Sequence, residues 1–192
     1  AQQSPPSPAD GRGPLLGAAL GISTTTEPGA DRSRTTSSVE LRAGWALSPS
    51  VALMVEGALH GQGGKAPETF AGSIDPASLT GLPGSKLVGT FSVLASVQAT
   101  GPAGIYVRPG IGVARHTFGA YELAPSGTGT PLYMGRIAHE WGPAAGIAVG
   151  HDLKLPFWLP LQLEAVALWS KGEDSTGARW SAGLQLAHDI RF

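Results

Sequence analysis

The sequence predicts an all-β protein: an eight-stranded antiparallel up-and-down barrel with a polar interior and an apolar exterior. Three observations carry this. Apolar and polar residues alternate with period two along most of the chain, while helical periodicity is nearly absent. The links between alternating segments are by turns tight and long, as antiparallel neighbours turning at opposite ends require. Charged residues make up only 14 % of the 192 residues, whereas an ordinary water-soluble domain carries about a quarter.

Eight segments are read, at about 13–25, 34–48, 51–63, 86–100, 105–122, 134–153, 160–172 and 178–192. The second and third are joined by SPS, the fourth and fifth by GPAG, the sixth and seventh by KLPFWLP. The other links are EPGADRS, the long stretch over 64–85, ELAPSGTGTPLY and KGEDSTG. One chain of this length makes one domain, large enough to close a barrel. It is preceded by a Pro/Ser-rich stretch over 1–12, expected to be a flexible periplasmic tail. The Ala-Gln-Gln start reads as the mature end left by a signal peptidase.

Each segment justifies itself by parity. Val39, Leu41, Ala43, Trp45 and Leu47 oppose Glu40, Arg42, Gly44 and Ser48 in the second segment. In the third, Val51, Leu53, Val55 and Leu59 oppose Glu56, His60 and Gln62; in the fourth, Leu87, Phe91, Val93 and Val97 oppose Thr90, Ser92, Ser96 and Gln98. Ile105, Val107, Ile111 and Val113 oppose Tyr106, Arg108, Gly110 and Gly112 in the fifth. The sixth sets Ile137, Trp141, Ile147 and Val149 against Arg136, Glu140, Gly146 and Gly150. The seventh sets Leu161, Leu163 and Trp169 against Gln162 and Glu164. In the last, Trp180, Ala182, Leu184, Leu186, Ile190 and Phe192 share one parity, with Arg179, Ser181, Gln185, Asp189 and Arg191 on the other. Pro109 and Pro143 fall inside strands, where each removes a ladder hydrogen bond and where a bulge would shift the parity of the fifth and sixth segments, leaving side-chain orientation there open.

A soluble ligand-binding barrel would put the apolar parity inside, and a transmembrane barrel puts it outside against lipid. The polar parity is mostly Gly, Ser and Thr with few charges, too sparse for a water-facing surface and small enough for a narrow lumen. The aromatics Trp45, Trp141, Trp169 and Trp180 lie towards the ends of apolar faces, where amphipathic rings meet headgroups. Both point to the transmembrane arrangement. Near-neutral net charge gives no reason to expect nucleic acid, and the absence of cysteine excludes disulfides and thiolate chemistry.

With this strand count, loop asymmetry and terminal segment, residues 13–192 resemble the small eight-stranded barrels of the bacterial outer membrane, the surface-antigen and porin-like proteins. The resemblance implies an outer-membrane location with both termini periplasmic. It also implies contact with outer-membrane lipid and with the barrel-assembly machinery during biogenesis. In that family a terminal Phe preceded by alternating apolar residues is the assembly signal. Carried onto this chain, that signal is Leu184, Leu186, Ile190 and Phe192, with His188 departing from the pattern.

The candidate site is the inward charge set Glu40, Arg42, Glu56, Arg108, Arg136, Glu140 and Glu164. An eight-stranded barrel has an interior just wide enough for its own side chains, so these must pair into a network. The functional alternative is a narrow passive pore, with inward Gly44, Gly110, Gly112, Gly146, Gly150 and Gly183 leaving room for water. A second alternative is a lipid hydrolase built on His116, Thr117 and Glu122, since a hydroxyl nucleophile needs an adjacent base and an orienting acid. His139 and Glu140 are adjacent on a strand, so they point to opposite faces and cannot easily share a ligand. No metal site, cofactor or catalytic residue is expected. The favoured role is non-enzymatic, a structural or surface-interaction barrel that meets partners through its longer loops.

Overall fold

Alternation of this kind folds as strands, and the computed structural model of the chain contains no helix among its described residues. These are residues 11–26, 34–61, 70–73, 86–124, 132–153, 161–172 and 178–192. Eight long strands and one short one are present: β1 (Gly13–Thr26), β2 (Arg34–Ser48), β3 (Val51–Gly61), β4 (Phe70–Ser73), β5 (Lys86–Thr100), β6 (Ile105–Ala124), β7 (Leu132–Leu153), β8 (Leu161–Lys171) and β9 (Ala178–Arg191). Each long strand pairs antiparallel with its neighbours in chain order, and β9 pairs with β1 from Leu15↔Arg191 to Thr26↔Trp180, closing the ring. Closure leaves no sheet edge along the body of the barrel.

β4 falls within the stretch 64–85 that the sequence marks as an irregular link. It runs parallel to β7, with Phe70 opposite Gly135 and Ser73 opposite Ile137. β8 is short and covers β7 only from Ala144 to Leu153, so β4 pairs part of the β7 edge that β8 leaves open. The remainder of 64–85, and residues 1–10 of the expected tail, lie outside the described residues.

Two of the three tight links are turns, and the third, KLPFWLP, lies outside the described residues. Pro49 and Ser50 join β2 to β3, and residues 101–104 join β5 to β6. In the second turn Gly101 donates its amide to the Ile105 carbonyl at 2.8 Å, and Gly104 donates to the Gly101 carbonyl at 3.1 Å. Gly104 has φ of 75°, a conformation that side chains other than glycine rarely adopt.

The prolines do not shift the register. β6 and β7 pair continuously from Ile105↔His151 to Ala124↔Leu132, through Pro109↔Ile147 and Val113↔Pro143. On the other side of β6 the ladder lapses between Ser96↔Gly110 and Ala99↔Val107, then resumes in the same register. Pro109 therefore omits a bond to β5 without adding a residue. Pro143 lies one residue above the last β7–β8 pair, Ala144↔Ser170, where the ladder to β8 has already ended. The bulges fall instead at Leu87–Gly89 and Ala46–Ser48.

Side-chain burial follows the two parities. Ile111 is 73 % exposed and Leu20 66 % exposed on the outer wall, with Leu41, Val55, Leu163 and Leu184 also exposed. Arg108 is 2 % exposed and Glu164 0 % exposed. At the tight-turn end the bore is filled by apolar side chains, Leu15, Ala46, Ala52 and Met54. A second buried apolar patch, Leu94, Ala114, Ala144 and Leu168, lines β5 to β8.

Candidate functional site

Arg108 is brought to the middle of the bore by β6, whose inward parity runs Tyr106, Arg108, Gly110. Its Nη2 donates to Glu40 Oε1 at 3.0 Å, and its Nη1 donates to Glu164 Oε1 at 3.0 Å. Its Nε lies 2.6 Å from Glu56 Oε1 without hydrogen-bond alignment, so that contact is chiefly Coulombic. From β2, Arg42 Nη1 donates to Glu164 Oε1 at 2.7 Å, and its Nε lies 3.3 Å from Asp189 Oδ1. Glu164 on β8 is thus held by both guanidinium groups.

Neutral groups complete the cluster. Tyr106 donates its hydroxyl to Glu164, and Ser96 donates to Glu56. Gln185 on β9 donates from Nε2 to Glu40 Oε2 at 3.0 Å and to Glu164 Oε2 at 2.5 Å. The Arg108 guanidinium also lies 5.9 Å from the centroid of the Tyr106 ring. Four carboxylates (Glu40, Glu56, Glu164, Asp189) share two guanidinium groups (Arg42, Arg108), so the cluster carries an excess of acid.

The structure therefore brings Glu40, Arg42, Glu56, Arg108 and Glu164 together. Glu140 is buried further towards the long-link end, 3.6 Å from Arg179 Nη1, in a separate group. The side chain of Arg136 lies outside the described residues. Asp189, Tyr106, Gln185 and Arg179 complete these groups and were not singled out from the sequence. All four sit on the polar parity, which was the available signal.

Several inward glycines do not leave room for water. A Cβ at Gly150 would meet the Tyr106 ring, one at Gly44 would meet Met54, and one at Gly17 would meet Asp189 and Arg42. At Gly150 and Gly17 neighbouring side chains occupy the space, and at Gly44 the Leu53 carbonyl shares it with Met54. Above the cluster, hydroxyl groups and imidazoles take over. Ser23 lies 2.7 Å from Thr36 and 3.3 Å from His60 Nδ1, Thr25 lies 2.8 Å from Ser181, and Thr90 lies 3.0 Å from His116 Nδ1.

The hydrolase constellation does not form. His116 is buried in the bore, whereas Thr117, the next residue, contacts the exposed His139 at 3.2 Å. Base and nucleophile point to opposite faces, and the Glu122 side chain lies outside the described residues. His139 and Glu140 separate in the same way. Among the described residues no group of three His, Cys, Asp or Glu side chains comes together to hold a metal.

The aromatic and terminal residues occupy the outer wall. Trp45 sits near the tight-turn end opposite Pro14 and Leu53, and Trp169 pairs with Trp180 towards the other end. Trp141 pairs with Arg115, whose guanidinium lies 5.9 Å from the ring centroid. Leu184, Leu186, Ile190 and Phe192 are all exposed along the outside of β9 and its end. The Phe192 amide donates to the Pro14 carbonyl at 3.1 Å.

No protein-family model and no curated protein sequence matches the chain. Solved structures do. The attachment invasion locus protein Ail of Yersinia pestis superposes with a TM-score of 0.61 at 11 % identity, over 93 % of this chain and 99 % of that one. The same protein crystallised with the heparin analogue sucrose octasulfate gives 0.56, again at 11 % identity and with the same coverage. Neisserial surface protein A gives 0.54 at 12 % identity, over 93 % of this chain and 97 % of its own. At such identity the likeness is one of fold.

Proposed function

Since the chain has the fold of the small eight-stranded outer-membrane barrels, we propose that it is an integral outer-membrane protein that neither conducts nor catalyses. It acts as a surface-interaction barrel, presenting its longer links outside the cell with both termini in the periplasm. The observation that carries the reading is how the bore is filled. Arg42 and Arg108 bind Glu40, Glu56 and Glu164 across its width, and Leu15 and Met54 pack beneath them. Side chains from opposite walls meet across such a section, so the cluster serves as a cross-brace between β2, β3, β6 and β8. Function is then left to the long-link end.

The outward apolar wall supports the membrane placement. Leu20, Ile22, Leu41, Val55, Ile111 and Leu184 would expose a continuous greasy surface to water, which soluble monomers avoid. In lipid the same wall is solvated, and the exposed Trp45, Trp141 and Trp180 fall towards its two rims.

The test is conductance of the purified barrel in planar bilayers, alongside its partition into membranes. The reading expects membrane-bound protein with no resolved single-channel steps. Steps that change on Arg108→Ala would establish the pore instead, and a monomer soluble without detergent would establish the soluble ligand-binding barrel. Loss of an acyl chain from lipid vesicles, abolished by His116→Ala, would establish a lipid hydrolase.

A further inference from the structure

Just above the arginine cluster the bore widens into a chamber of about 40 Å³, lined in part by Ser38, Ser92, Glu40, Glu56, His60 and Arg108. We propose that this chamber binds a small monovalent cation, of the size of sodium or potassium, together with one or two waters.

Two independent observations meet here. The first is a pair of hydroxyl groups. Ser38 is 3 % exposed and Ser92 1 % exposed, both line the chamber, and neither Oγ has a hydrogen-bond partner. Buried polar groups are ordinarily satisfied, and an unpaired one marks a missing water or ion. The second is charge. Two carboxylates and one guanidinium line the chamber, and they are part of the same cluster of four carboxylates and two guanidinium groups. Water alone would satisfy Ser38 and Ser92 but would leave the excess negative charge in a poorly solvated space.

The same residues select the ligand. An anion is repelled by Glu40 and Glu56. Hydroxyl and carboxylate oxygens are hard donors, unsuited to the softer transition metals. Of the cluster's excess of two negative charges, one falls on the chamber's own Glu40, Glu56 and Arg108, and the other on Glu164, Asp189 and Arg42 outside its lining, so a monovalent ion balances the chamber. The volume matches, since one water needs roughly 10–15 Å³ measured in this way. The site is independent of which partner the outer loops meet.

The test is the unfolding midpoint of the folded barrel in lithium, sodium, potassium, caesium and choline chlorides at matched ionic strength. The expected result is a saturating rise with one or two of the small cations and none with choline. In Ser38→Ala/Ser92→Ala, which keeps every charge, the cation concentration for half-effect rises at least threefold. In Glu56→Gln, provided it folds, the dependence disappears. Equal midpoints in all five salts would overturn the proposal, as would a cation effect that the double serine variant leaves unchanged. A double variant stabilised equally in every salt would show a dry chamber, and also overturn it. So would a protonated-carboxyl infrared band lost in Glu56→Gln with no cation dependence, which would assign the charge balance to a proton.

Discussion

Tyr106 on β6 donates its hydroxyl to Glu164 on β8 across an intervening strand, and the residue between them is Gly150. The three stand opposite one another in a single cross-strand row, and a Cβ at Gly150 would overlap the tyrosine ring. The missing side chain lets a large residue lie flat against the wall and reach the centre of the bore.

That geometry makes Gly150→Ala an overpacking substitution despite its small size. Added volume in a packed interior typically costs about 1–3 kcal/mol, and here it also pulls the tyrosine hydroxyl off Glu164. Tyr106→Phe, which loses only the hydroxyl, is expected to cost about 1.5–3 kcal/mol for a bond to a charged acceptor. The check is urea unfolding in detergent. In a Tyr106→Ala background, Gly150→Ala should become close to neutral, because the overlap is gone.

The four carboxylates of the cluster are not equivalent. Glu164 receives both Arg42 and Arg108, at 2.7 and 3.0 Å, whereas Glu56 faces Arg108 alone. Breaking a buried pair by removing one partner costs about 3–5 kcal/mol, because an uncompensated charge is left behind. Glu164→Gln should fall in that range, since it removes the one carboxylate to which both guanidinium groups donate and leaves the Nη1 of each without its charged acceptor. Glu56→Gln should cost less, since acid is already in excess. Equal costs for the two would contradict the centrality of Glu164.

The cross-brace illustrates what patterning can and cannot reach. Period-two parity alone puts Glu40, Arg42, Glu56, Arg108 and Glu164 on the inner wall, and a narrow bore forces inward charges together. Parity does not supply height along the axis. That depends on strand stagger and pairing register: Glu140 is set apart to pair near Arg179, while the register of β9, β1 and β2 puts Asp189 and Arg42 on either side of Gly17. Nor does it reveal that a glycine is filled by a neighbour, as Gly150 is by Tyr106, because the filling residue lies on another strand. The prolines show the reverse case. A local rule leaves open whether Pro109 and Pro143 make bulges, and the β6–β7 register passes through both, because each lost donor falls where the ladder to the other neighbour lapses or ends.

Trp169 and Trp180 pair on the outer wall towards the long-link end, and Trp45 lies near the tight-turn end. In vesicles of brominated lipid, single-tryptophan variants retaining Trp45 or Trp180 should be quenched more strongly by bromines near the headgroup than by bromines near the bilayer centre. Emission should also be blue-shifted relative to the unfolded chain. Quenching by aqueous iodide but not by brominated lipid would place these rings in water and contradict the membrane-facing wall.

Phe192 offers a prediction that separates assembly from stability. Its ring is exposed on the outside and its amide bonds the Pro14 carbonyl, a contact that a different side chain would preserve. An exposed ring contributes little to packing, and substitutions at such positions usually change stability by no more than about 0.5 kcal/mol. Phe192→Ala should therefore refold in detergent with a near-unchanged unfolding midpoint. If Phe192 also belongs to a signal read during biogenesis, the same variant should accumulate in membranes at a clearly lower level than the parent. His188→Phe should raise that level, because it places an aromatic ring where the terminal pattern lacks one. Equal membrane yields for all three chains would remove the signal role and leave Phe192 as an anchor at the barrel's rim.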